Sequence, residues 1–285
     1  MHLKIKHLKL NTMGTKSLFK KQSLLIMMSL FVVFAFFACS IDDGFTNNRG
    51  DDDDDDGGDD DFVTELHAAF EDFNSDAVTV MLSDDGTEIY IETTGFPDHT
   101  SIYWETDHDL YLDESVDGVV KTTQNTFIGG GTGEASSFTV DATPNLTGAT
   151  VSTELNTIGI AVSGAAIFND QEGMGDLDDA ASSLDFNGAH KGPGVYHYHL
   201  EPRSISNDDG NLVGILLDGV FLYGRRDFPS NEYPDDLDAS GGHFGPTPHN
   251  EDGEYHYHII NEEYNAPTYA YDEAIVLFAG PFQGY

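Results

Sequence analysis

The chain has 285 residues, with 51 acidic side chains against 12 Lys and Arg, 12 His and a single Cys. A formal charge of −39 repels nucleic acid and anionic surfaces, which excludes DNA and RNA as partners. One Cys excludes an intrachain disulfide, a multi-thiolate metal site and a thiol redox pair.

Residues 1–38 carry six Lys (Lys4, Lys6, Lys9, Lys16, Lys20, Lys21) and no acid. The apolar run Leu24 to Phe37 is shorter than the roughly 20 residues that a membrane span needs, and it ends in Phe36-Phe37-Ala38-Cys39-Ser40. Basic, apolar and small-residue segments in that order read as a signal peptide over 1–38. Cys39 then becomes an acylated N-terminus that anchors the chain in a lipid membrane; the rival reading is an uncleaved anchor with an incidental Cys. The expected location is the cell envelope, at the outer membrane or the cell surface. Without the leader, six basic side chains face 51 acids, a formal charge of −45. Residues 39–61 hold Asp51 to Asp56 and Asp59 to Asp61, a self-repelling tether with nothing to bury. The run lacks the spaced acids and closing Glu of a calcium loop.

From Phe62 to Tyr285 the length suits one all-β domain, sandwich-like or barrel-like, with minor helix. Residues 62–73 place Phe62, Leu66, Ala69 and Phe73 at helical spacing. Period-two strands follow over 77–82 and 88–93, joined by Asp84-Asp85-Gly86. Residues 101–105, 138–140 and 151–155 continue that pattern.

Two stretches then repeat. Residues 158–164 (IGIAVSG) echo 213–219 (VGILLDG), each expected to open a hairpin, the second through a type I′ Asp218-Gly219 turn. Leu184 to His190 and Leu237 to His243 both read L-D-x-x-G-x-H. Tyr196-His197-Tyr198-His199 recurs as Tyr255-His256-Tyr257-His258. The repeats span about 158–200 and 213–260 and predict an internal pseudo-twofold.

Alternate strand residues share a face and rise about 3.3 Å each. His197 and His199 therefore point the same way, with His190 able to double back as a third donor; His243, His256 and His258 repeat the arrangement. Three imidazoles leave a coordination position open. No usable thiolate is present, and the donor set suits copper or zinc, with iron or nickel as further candidates. Asp185 or Asp238 could complete a 2-His-1-carboxylate set, orient a ligand from outside it, or cap a turn. His99, in Gly95-Phe96-Pro97-Asp98-His99, either joins a cluster or is a turn residue. The bland alternative is that His and Tyr merely alternate on half-buried strands.

Paired Y-H-Y-H with a preceding G-x-H resembles the bacterial YHYH-domain family. Gly95 to His99 looks like that family's G-[IF]-P-x-H segment, and Leu217 to Gly224 like its L-D-G-x-P-I-Y-G, with Phe221 where proline is usual. The resemblance covers about 80–285 and implies a family without implying an activity.

Two functions compete on these residues. One is an envelope lipoprotein that binds a transition metal for sequestration or metal-dependent chemistry. The other is a non-enzymatic adhesion or glycan-binding module whose His and Tyr line a groove. No G-x-S-x-G elbow supports a serine hydrolase, and Arg225-Arg226 either meets an anionic substrate or bridges acids.

Overall fold

Alternation of branched and aromatic residues with polar ones governs the chain from Val78 onward, and strands result. The computed structural model describes residues 63–113, 127–130, 135–173, 175–192 and 194–285. The expected leader, the Cys39 lipidation site and the aspartate tether lie outside the described residues. The strands are β1 (Val78–Leu82), β2 (Glu88–Thr93), β3 (Ser136–Asp141), β4 (Gly159–Ala161), β5 (Ala166–Ile167), β6 (Gln171–Glu172) and β7 (Gly175–Asp176), followed by β8 (Ala189–Lys191), β9 (Tyr196–Tyr198), β10 (Leu212–Leu216), β11 (Phe221–Tyr223), β12 (Gly242–Thr247) and β13 (Asn250–His258).

They form a three-stranded sheet β1-β2-β3, a two-stranded β6-β7 hairpin, and an eight-stranded sheet in the order β12-β13-β11-β10-β4-β5-β9-β8. The large sheet is one four-strand unit used twice. In each unit a hairpin (β4-β5, β10-β11) is followed by a parallel pairing (β5-β9, β11-β13) and an antiparallel one (β9-β8, β13-β12). The units meet at the antiparallel β4–β10 pair, with Ile160 opposite Ile215. Gly159 and Gly214 occupy equivalent places there: an added Cβ would lie 2.5 Å from the Ile215 carbonyl oxygen and 2.2 Å from that of Ile160. The two backbones approach too closely for any side chain at those positions.

Side-chain alternation gives the large sheet two apolar faces. Ile160, Ile215, Phe221 and Tyr223 pack against Val78, Ile89, Ile91 and Val140 of the small sheet. The other face carries Ala161, Ile167, Tyr196, Tyr198, Leu222 and Tyr257, covered by Leu277, Phe278 and Phe282 near the C-terminus. The architecture is all-β and sandwich-like. The large sheet ends at β12 and β8, so it does not close into a barrel.

Several local expectations need correction. Among the described residues of 62–73 only Ala68–Asp72 is helical, a five-residue 3-10 turn, although Ala69, Phe70 and Phe73 still enter the core. Residues 101–105 and 151–155 contribute isolated bridges (Ser101 to Tyr111, Val151 to Phe282), not strands. The Asp218-Gly219 turn is not type I′, because only Gly219 has positive φ (81°). Gly219 N–H donates to the Leu216 carbonyl and Leu216 N–H to that of Val220, which makes a three-residue loop closed by a left-handed glycine. Gly164, with φ 98°, closes the β4–β5 loop through the matching bonds Gly164 to Ala161 and Ala161 to Ala165.

Candidate metal centres

The Y-H-Y-H strands divide as a pleated strand requires. Tyr196, Tyr198 and Tyr257 turn into the core behind the sheet, fully buried. The histidines emerge on the opposite face. In β8–β9, His190 stands opposite His197, and in β12–β13 His243 stands opposite His256. Direct pairing brings each G-x-H histidine beside the H-x-H pair. All six histidines are buried.

In the first centre His190 Nε2 lies 3.0 Å from His197 Nε2, and His199 Nε2 lies 3.0 Å from Glu172 Oε2. Glu172 Oε2 is also 3.4 Å from His190 Nε2 and 3.9 Å from His197 Nε2. In the second, His256 Nε2 lies 3.2 Å from His243 Nε2 and 3.0 Å from His258 Nε2, while Asp227 Oδ1 faces His243 Nε2 at 3.7 Å. Within each quartet the ligand atoms all lie within 4.8 Å of one another. With metal–ligand bonds of about 2.1 Å, neighbouring ligands sit about 3.0 Å apart in an octahedron and about 3.4 Å apart in a tetrahedron, so the observed spacings fit one ion per quartet.

The outer nitrogens decide the protonation. Carbonyl oxygens accept from Nδ1 of His197 (Val195, 3.1 Å), His199 (Asn169, 2.7 Å), His256 (Glu254, 3.0 Å) and His258 (Gly224, 2.7 Å). A carbonyl cannot donate, so each of these Nδ1 atoms carries the proton. Ser183 Oγ donates to the Ala180 carbonyl and therefore accepts from His190 Nδ1, both at 2.7 Å. The Asp236 carboxylate accepts from His243 Nδ1 at 2.7 Å. In their neutral form all six rings thus aim an Nε2 lone pair inward. Lone pairs brought this close repel unless a cation lies between them. A proton is poorly suited to that role: burial pushes His197 down to about 4 and His258 to about 3, and lowers His256 as well. When the rings are charged and donate through Nε2, Glu172 is held well below the usual carboxylate range, above all by His190 and then by His197 and His199. Asp227 Oδ1 is buried and has no hydrogen-bond partner. A bare carboxylate oxygen beside three imidazoles is the donor that a divalent ion would satisfy.

The carboxylates differ from those expected. Asp185 and Asp238 do not reach the quartets. Asp185 Oδ1 accepts from Asn187 N–H at 2.9 Å, and its Oδ2 accepts from Ser101 Oγ at 2.5 Å and Tyr196 OH at 2.6 Å. Burial raises its pKa to about 6. Asp238 accepts from Ser240 N–H at 2.8 Å and Tyr255 OH at 2.8 Å. Both cap turns and steady the tyrosine that precedes the first H-x-H histidine. His99 lies on the tyrosine side, its Nε2 2.6 Å from Tyr198 OH and its Nδ1 3.0 Å from Thr100 O, and so does not join a quartet. Arg225 and Arg226 bridge acids, to Glu201 at 3.1 Å and Asp208 at 2.8 Å.

Glu172 and Asp227 carried a signal in the sequence. When the repeats are aligned on Phe168 and Tyr223, each acid falls four residues later. In the second register, set by the G-x-H histidines His190 and His243, Ser183 matches Asp236, each seven residues before its histidine.

Residues 137–235 match the family model described as YHYH protein. This stretch belongs to the YHYH family. The match takes in the first Y-H-Y-H and the L-D-G segment and ends before His243, so the second trio rests on the internal repeat and the geometry. It is narrower than the 80–285 of the resemblance. No curated protein and no solved structure matches the chain.

Proposed function

We propose that the YHYH chain is an envelope lipoprotein, acylated at Cys39, whose β domain binds two divalent transition-metal ions. His190, His197, His199 and Glu172 would hold one, and His243, His256, His258 and Asp227 the other. The observation that carries this reading is the inward convergence of three proton-free Nε2 atoms and a carboxylate oxygen, twice in one chain. The donors are nitrogen and oxygen only, which suits zinc or copper(II) and also admits iron or nickel.

The two centres are separate. Five strand spacings divide β9 from β13, about 24 Å along the sheet. A bridged pair of ions has them about 3.5–4 Å apart, so the quartets would act as two mononuclear centres. Such an ion supplies Lewis acidity to a bound water or substrate, or is itself the cargo. The chain's own residues hold it, exclude water behind it and fix the imidazole tautomers.

The competing glycan-groove reading needs tyrosine rings on display. Tyr196, Tyr198 and Tyr257 are fully buried and Tyr255 half-buried, so the motif offers no aromatic platform. Elemental analysis of purified protein tests the proposal. Two equivalents of metal are expected, with one lost on replacing His197 and His199 by Ala and both lost when His256 and His258 are replaced as well. A folded wild-type protein that takes up no zinc, copper, nickel or iron would overturn it.

A further inference from the structure

The inference concerns what distinguishes the two quartets, and it rests on the metal-binding reading above. Around the first, Glu172 is the one carboxylate among the described residues that joins the ligand nitrogens, and the outer nitrogen of His190 meets the neutral Ser183 hydroxyl at 2.7 Å. Asp170 acts on His199 only through space. Around the second, Asp227 faces the focus and the Asp236 carboxylate takes the His243 Nδ1 proton in a 2.7 Å hydrogen bond. Asp236 also acts on His258 through space, and Glu254 on His256. A divalent ion beside Glu172 keeps one positive charge uncompensated. The same ion beside Asp227, on an imidazole hydrogen-bonded to the Asp236 carboxylate, is neutralised. Outer carboxylates of this kind are typically worth about 10–100-fold in metal affinity. The asymmetry is built into the repeat, because Ser183 and Asp236 each stand seven residues before the G-x-H histidine that they contact.

We propose that the centres are not duplicates: the Asp227 centre holds its ion more tightly and refuses anions, whereas the Glu172 centre binds its ion more weakly and accepts a small anion as an additional ligand. The second would be the permanent site, and the first the one that exchanges metal and meets an anionic ligand such as a carboxylate or hydroxide.

Cobalt(II), with its visible ligand-field bands, and azide are the probes. Full-length chain stripped by chelator is titrated in three forms: the H197A/H199A variant, which keeps the second centre; the H256A/H258A variant, which keeps the first; and Asp236→Ser in the otherwise intact chain. The second centre should bind cobalt about 10–100-fold more tightly. Azide should change the bands of the first-centre protein and leave the second-centre protein unchanged. Asp236 is largely exposed, so its replacement should leave the fold intact, merge the two binding steps and make both ions respond to azide. Equal affinities in the intact chain, an azide response at the second centre, or none at the first would overturn the proposal while leaving two metal sites standing. Failure of any form to bind cobalt or the other divalent ions overturns the metal reading along with it.

Discussion

The two halves of the large sheet share strand order, histidine positions and tautomers, yet several of the side chains around them differ. Phe168 stacks on His197 at 3.8 Å in the first, and Tyr223 meets His256 edge-on at 5.4 Å in the second. The Tyr198 hydroxyl meets Ser163 and His99, whereas that of Tyr257 donates to the Asp218 carboxylate at 2.6 Å. Common to both are the backbone carbonyls that take the Nδ1 protons and the inward carboxylate oxygen. Main-chain carbonyls set the tautomers of the four H-x-H histidines, so a repeat can change its neighbours and keep the centre.

The comparison can be broken most severely at the ligands. His256→Ala with His258→Ala should remove one metal equivalent and leave the other, read by elemental analysis; loss of both would mean that the halves are not independent. Acid should come next. In metal-free protein His197 and His258 are depressed to about 4 and about 3, against about 6.5 in the unfolded chain. Below pH 6.5 the unfolded state binds more protons than the folded one, so the stability contributed by these groups is present above that pH and lost as pH falls toward their folded values. For His197 the loss is on the order of 3 kcal/mol. Urea midpoints between pH 6.5 and 4 should fall steeply in the wild type and less steeply in His197→Ala.

At the junction of the halves, Gly214→Ala forces a Cβ onto the Ile160 carbonyl and should cost about 1–3 kcal/mol, with Gly159→Ala comparable if the pseudo-twofold is real. Tyr257→Phe should be the worse of the two tyrosine truncations. It deprives the buried Asp218 carboxylate of a donor, about 1–3 kcal/mol, while Tyr198→Phe disturbs neutral Ser163 and the His99 ring and should cost about 0.5–1.5 kcal/mol. The smallest effect is expected from Tyr223→Phe, which loses a 2.9 Å bond to His249 worth about 1 kcal/mol and no metal. Denaturant unfolding measures all five.

Much of this was legible in the chain. Period-two alternation put His197 and His199 on one face and Tyr196 and Tyr198 in the core before any fold was known. Duplication pointed to six histidines acting as two trios, and the structure brings each trio together. The carboxylates were missed because Asp185 and Asp238 stand conspicuously inside the L-D-x-x-G-x-H motif, where turn capping uses up their oxygens. Glu172 and Asp227 reach the quartets from segments that follow each hairpin; their matching place four residues after Phe168 and Tyr223 marks them in the repeat, but only the fold shows that those segments return to the histidines. The helix over 62–73 failed because Ala69, Phe70 and Phe73 satisfy a core contact from a single 3-10 turn.

Sequence alone determined the strand periodicity, the internal repeat and the choice of nitrogen donors, since these depend on residue type and on spacing along one strand. Tertiary structure decided which oxygen faces each trio, which ring nitrogen carries the proton and how far apart the centres lie. Those depend on segments distant in sequence: Asn169 and Gly224 carbonyls reaching His199 and His258, and the glycine contact between β4 and β10 that joins the halves. Backbone acceptors carry no residue-specific mark, so only the folded path shows where they point.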